Sequence, residues 1–183
     1  MPKNLLQNLL LGAIAAAALA MPVAAPAALA TGAKAPLFDT QAALGGKPFS
    51  FSLAQALKKG PVVLYFFPAA FTSGCTVEAH QFAEATDDFA KLGATVVGMT
   101  AGNIDKIDAF SAEECRNKFA VGVATPAMIE NYDVKLALKP GWTDRTSYVI
   151  APDGKILLAY SAMSPAGHVT NAMEAVKAWK AKH

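Results

Sequence analysis

Six apolar residues in a row, Val62-Val63-Leu64-Tyr65-Phe66-Phe67, lie between Pro61 and Pro68. A β-branched and aromatic run without polar alternation predicts a strand buried on both faces. From Gly74 to about Lys91 the period changes. Cys75, Ala79, Phe82, Thr86 and Phe89 recur at spacings of three and four, the stripe of an amphipathic helix. Thr72 and Ser73 are natural N-caps, which puts Cys75 in the first turn. Gly93 closes the helix and Ala94 to Met99 form a second buried strand. A strand, helix, strand succession predicts a parallel sheet with helices packed on it.

The remainder is patterned less strongly. Residues 31–60 read as loop-rich, with a short extended stretch at Phe49 to Ser52 and a turn of helix at Leu53 to Lys58. A second helix is predicted over Ile104 to Glu113 and a short one over Pro126 to Tyr132. Thr146 to Ile150 and Lys155 to Tyr160 flank Pro152-Asp153-Gly154, a turn sequence that predicts an antiparallel hairpin. Val169, Ala172, Met173 and Val176 form the stripe of a last helix.

Residues 1–30 are set apart by charge, with Lys3 as their one charged side chain. A polar start, an apolar stretch from Leu9 to Ala20 and the small Ala28-Leu29-Ala30 triplet match a secretory signal peptide cut after Ala30. Ala18-Leu19-Ala20 is an equally small triplet. A membrane anchor would need about 20 uninterrupted apolar residues, and Pro22 and Pro26 break the run. The expectation is an exported protein, in the bacterial periplasm, with residues 31–183 as one domain and no membrane attachment after cleavage.

Composition narrows the function. The 183-residue chain carries 16 basic and 14 acidic residues, a net +2. That balance predicts no electrostatic grip on nucleic acid. Cys75 and Cys115 are 40 residues apart and His80, His168 and His183 are scattered, so no zinc-ligand spacing is present. In an oxidising compartment the two cysteines could be a structural staple. Cys75 has a chemical reading as well: at a helix start, free N–H groups and the positive end of the helix dipole favour thiolate over thiol.

Pro68, Thr72 and Cys75 resemble the P-x-x-x-T-x-x-C motif of the peroxiredoxins, and Glu78 extends it to T-x-x-C-x-x-E, as in the bacterioferritin-comigratory or Q-type branch. Arg145 before Thr146-Ser147-Tyr148-Val149-Ile150, followed by Pro152-Asp153-Gly154-Lys155, resembles that family's later arginine, strand and turn segment. The resemblance runs from about Gly32 to the C-terminus. It implies an α/β thioredoxin-like fold, a central mixed β-sheet flanked by helices with peroxiredoxin additions, and a thiol-dependent peroxidase of hydrogen peroxide and organic hydroperoxides. It implies no metal or organic cofactor, a thioredoxin-like or small-thiol reductant, and a monomer or homodimer.

Carried over by position, Cys75 is the peroxidatic nucleophile and Thr72 holds the peroxide by hydrogen bonding. Arg145 binds thiolate and departing oxygen, and Pro68 shields the sulfur. Glu78 is the discordant member, since a negative charge one turn from Cys75 opposes the thiolate. It must be engaged by a basic side chain or be outweighed by the helix start and Arg145. Many Q-type relatives have a resolving cysteine five residues after the nucleophile, where this chain has His80. The family's other option, a cysteine in a later helix, points to Cys115 as the resolving thiol of an intramolecular disulfide. A buried spectator cysteine and a mechanism using an external thiol are the competing readings.

Rival functions differ in required residues. A dithiol oxidoreductase needs C-x-x-C, and Thr72 stands where its first cysteine would be. Copper delivery on the same scaffold needs two close cysteines and a histidine. An exported thioredoxin-fold domain with a structural Cys75–Cys115 disulfide and no peroxidase activity is the main alternative.

Overall fold

The computed structural model describes residues 28–183. The expected leader falls almost wholly outside them. Strands are β1 (Asp39–Leu44), β2 (Lys47–Ser52), β3 (Val62–Phe66), β4 (Thr95–Thr100), β5 (Ala120–Val123), β6 (Thr146–Ile150) and β7 (Ile156–Ser161). Helices are α1 (Leu53–Leu57), α2 (Ser73–Lys91), α3 (Ile107–Glu113), α4 (Pro126–Asn131) and α5 (His168–Lys180). One seven-stranded sheet has the order β2-β1-β5-β4-β3-β6-β7. β3, β4 and β5 are parallel, and β6, β7, β1 and β2 join antiparallel, so the sheet is mixed, as expected.

Alternation along β3 explains the unbroken apolar run. Val62, Leu64 and Phe66 face a core completed by Leu53 and Leu57 of α1 and Met128 and Ile129 of α4. Val63, Tyr65 and Phe67 face the other way, onto Ala79 and Phe82 of α2, Phe110 of α3 and Val176 of α5. With helices on both faces, no residue of β3 is left for water. Cys75 and Cys115 belong to the second core.

Three expectations change. Residues 39–48, expected as loop, join the expected extended stretch Phe49 to Ser52 in a β-hairpin, turned by Gly45 and Gly46 at φ +58° and +75°. Two consecutive left-handed residues make the tight turn whose twist suits a hairpin. Polar Asp39, Thr40 and Gln41 gave no strand signal because this is the sheet's outer ribbon, where one face is wet. β5 was not anticipated. Its Ala-Val-Gly-Val sequence is too short for a period, and pairing with β4 and β1 on either side makes it a strand. Finally, Ile104 to Lys106 form a 3₁₀ turn before α3 rather than its first turn.

Ala28 and Leu29 pack against the first core, and the Leu29 N–H donates to the Tyr148 hydroxyl at 3.0 Å. A cut after Ala30 would remove that contact, whereas one after Ala20 would keep it. No helix among the described residues is long and apolar enough to cross a membrane.

Candidate active site

β3 delivers the chain at Phe67 into a loop, residues 68–72, that turns it into α2. Each carbonyl of that loop's first half has a fixed donor. The Thr143 hydroxyl donates to Phe67 O at 2.6 Å, the Thr100 hydroxyl to Pro68 O at 3.1 Å and Asn103 Nδ2 to Ala70 O at 2.8 Å. Phe71 is held at φ +59°, a conformation a bulky residue adopts only when its surroundings impose it. A Cβ on Gly102 would meet Pro68 O at 2.4 Å, so only glycine lets this segment approach the loop. The result is a rigid approach to Cys75, which is 1% exposed in the first turn of α2.

Thr72 is the N-cap residue, as expected, but its side chain does not cap. Its hydroxyl instead donates to Ala69 O at 3.1 Å. The amide ends of the first turn are therefore not occupied by a side-chain cap, and Thr72 itself is exposed at the mouth of the loop. Pro68 is half-buried within the same loop.

Arg145 comes from the residue before β6, the strand antiparallel to β3. It is 4% exposed, and its Nη2 lies 3.5 Å from Cys75 Sγ. Its Nε donates to Met163 O at 2.9 Å and its Nη1 donates to Glu78 Oε2. All of the guanidinium's working edges are fixed, the geometry that makes arginine a directed donor rather than a loose charge. A Cβ on Gly74 would sit 3.2 Å from Nη2, so a side chain there would press on the guanidinium. Glu78 is thus engaged by a basic side chain and fully buried. Burial pushes its carboxyl up to about 8, more than Arg145 pulls it down.

Residues 31–159 match the AhpC/TSA family. Peroxiredoxin Bcp of Xanthomonas campestris is 26% identical over 122 residues, 64% of this chain and 76% of the relative. The chloroplastic peroxiredoxin Q of Sedum lineare is 28% identical over 136 residues, 74% of this chain and 72% of the relative. The crystal structure of peroxidoxin BcpB from Mycobacterium tuberculosis aligns with a TM-score of 0.72 at 31% identity, over 81% of this chain and 96% of that one. The chain is a peroxiredoxin. It belongs to the Bcp and Q branch of the AhpC/TSA family and is a thiol-dependent peroxidase with a thioredoxin-like fold.

The peroxiredoxin's second thiol sits in a different setting. Cys115 is buried just after α3, and both cysteines are free, so the fold stands without a staple. Among the described residues, the charge that acts on Cys115 is a carboxylate, Glu114. Burial, and then the Glu114 carboxylate, push its thiol well up. Arg116 and Asn117 follow at φ +50° and +58°. Three side-chain contacts tie this corner to one face of α2: a hydrogen bond between His80 and Glu114 at 2.6 Å, and ion pairs of Glu84 with Arg116 at 3.2 Å and Asp87 with Lys118 at 2.8 Å. His80 therefore reaches the residue before Cys115.

Sequence reasoning brought Cys75, Thr72, Pro68, Arg145 and Glu78 to one place, and the structure gathers them there. It missed the donors that hold the loop, Thr100, Asn103 and Thr143. It also missed His168 and Ser147, whose side chains meet at 2.8 Å behind Glu78. Only the hairpin partner β6 and the start of α5 bring these close. A lone buried histidine carries no spacing signal.

Proposed function

We propose that Cys75 is the peroxidatic nucleophile, reducing hydrogen peroxide and organic hydroperoxides. The thiolate attacks one peroxide oxygen; an S–O bond forms as the O–O bond breaks. The departing oxygen takes the electron pair and a proton and leaves as water or an alcohol, and the sulfur becomes a sulfenic acid. The observation that carries this reading is Arg145 Nη2 at 3.5 Å from Cys75 Sγ beside the free amides of α2. Together they supply fixed positive charge where negative charge moves from sulfur to oxygen. Thr72, its hydroxyl hydrogen committed to Ala69 O, keeps oxygen lone pairs to accept a hydrogen bond from the peroxide.

Cys115 then attacks the sulfenic sulfur, an S–S bond forms and water leaves. A disulfide needs the two Cα atoms within about 7 Å. The buried Cys115 corner and the first turn of α2 open for this, and the paired left-handed residues Arg116 and Asn117 mark where the corner gives. A thioredoxin-like protein or small thiol reduces the disulfide and restores both thiols. The chemistry uses no metal or organic cofactor, and the monomer or homodimer contains every group named. Export to the periplasm rests on the leader-like residues 1–30. N-terminal sequencing of the protein from a periplasmic fraction tests it: an intact Met1 refutes export by cleavage.

The decisive experiment is peroxide consumption coupled to a dithiol. Wild type is expected to turn over and Cys75→Ser to show only the uncatalysed rate. Undiminished turnover by Cys75→Ser would reject the assignment.

A further inference from the structure

Glu78 raises an electrostatic question that its pairing with Arg145 does not answer. An ionised carboxylate on the guanidinium would cancel the positive charge beside Cys75. Its Oε2 takes the Arg145 hydrogen bond, whereas Oε1 is buried with no partner of its own. Nδ1 of His168 lies 3.6 Å from that oxygen.

The contacts of His168 define what its ring can do. Nε2 is 2.9 Å from the Ala162 carbonyl, which only accepts, so Nε2 carries a hydrogen. Nδ1 is 2.8 Å from Ser147 Oγ. With the ring neutral, Nδ1 is a lone pair that takes the Ser147 hydroxyl hydrogen. An ionised Oε1 would then face that lone pair with nothing donated to it, away from water. One added proton removes the conflict on either side. A carboxylic acid directs its O–H toward Nδ1, or an imidazolium directs Nδ1–H toward Oε1. In both forms the two side chains are together neutral, and Arg145 remains a net cation.

We propose that His168 is a positioning residue of the peroxidatic site: it keeps one proton resident on the Glu78–His168 pair, so that Glu78 orients Arg145 without cancelling its charge at Cys75. This rests on the reading of Cys75 as a thiolate nucleophile. The groups facing the ring are Glu78 from α2, Arg145 and Ser147 at β6, and Tyr160 from β7, whose ring stands edge-on at 4.8 Å. Burial raises Glu78 to about 8, and burial, with a smaller push from Arg145, holds His168 below its ordinary value, so the proton rests on the carboxyl side.

His168→Asn replaces the Nδ1 lone pair that can receive the Glu78 proton with an amide that can donate to Oε1, so it shifts Glu78 toward the ionised carboxylate. In a Cys115→Ser background Cys75 is the one thiol. At about pH 6 its rate of alkylation by iodoacetamide is expected to be about tenfold below that of the Cys115→Ser parent, and at about pH 9, where Glu78 is ionised in both, to match it. A purely structural role lowers the alkylation rate equally at both pH values; that result overturns the proposal. Should His168→Asn fail to fold, ring-nitrogen NMR decides. With three histidines in the chain, the His168 resonances are expected to shift when Glu78→Gln removes the titrating neighbour, and unmoved resonances overturn the proposal. Neither readout requires turnover. Failure to consume peroxide with the pH-dependent alkylation intact would therefore sink the peroxidase reading alone.

Discussion

The two thiols of this peroxiredoxin are equally buried and lie in one apolar core, yet their surroundings differ in kind. Cys75 has a guanidinium at 3.5 Å and the uncapped amides of α2. Cys115 has aromatic and aliphatic neighbours and one carboxylate, which hold it as a thiol. Burial by itself makes a cysteine inert. What makes a buried sulfur a candidate nucleophile is positive charge delivered into the same cavity. In the proposed cycle, Cys75 reacts first, in the closed fold, and Cys115 follows when its corner opens.

Removing the charge should break the contrast most severely. Arg145→Met is expected to slow the reaction of Cys75 with peroxide by about 100- to 1000-fold, the usual cost of deleting a fixed charge-stabilising donor. Stopped-flow kinetics would measure it, and a loss under about threefold would mean that α2 alone activates the sulfur. Cys115→Ser changes the product. One equivalent of peroxide should leave Cys75 one oxygen heavier, where wild type loses two hydrogens in forming the bridge. A stable oxygen adduct in wild type would refute resolution by Cys115.

A third effect separates the regions by pH. Glu78 sits near 8 in the fold against an ordinary 4.5, so the folded chain holds a proton that the unfolded chain has released. Stability therefore falls as pH rises across that interval. His168, depressed by burial, acts oppositely but only below its ordinary 6.5. Asp144, raised to about 6 by burial, has the sign of Glu78 and has titrated by then. Between about pH 6.5 and 8 the Glu78 site should cost roughly 1–2 kcal/mol of unfolding free energy. Denaturant titrations should show stability changing downward across this interval in wild type relative to Glu78→Gln. An equal change in Glu78→Gln would place its source elsewhere.

The smallest effect concerns the Cys115 corner. Exposed ion pairs contribute about 0.2–1 kcal/mol each, so Glu84→Lys, which sets like charge against Arg116, should speed disulfide formation about two- to fivefold. Added salt should do the same in wild type and less in the variant, as quenched mass analysis over time would show. An unchanged rate would mean that the corner's opening does not limit resolution.

Local order was legible wherever burial was two-sided or a period was strong. β3, β4 and α2 were readable because both faces of the sheet are covered and one face of the helix is apolar. The first hairpin and β5 were not, since a wet outer ribbon and a four-residue strand leave no period. Thr72 was legible as a helix boundary but not as a hydroxyl turned back onto Ala69, because capping and loop bonding are open to the same side chain.

Chain chemistry alone determined that a thiol would stand at a helix start after a buried strand, because residue type, proline punctuation and period are all local properties. Tertiary structure alone decided which charges reach that thiol. Antiparallel pairing of β6 with β3 carries Arg145 to the sulfur, and the packing of α5 sets His168 behind Glu78. Electrostatic coupling depends on distance through a water-poor interior, and residues 67 to 90 positions apart in sequence acquire such distances only when the sheet has closed.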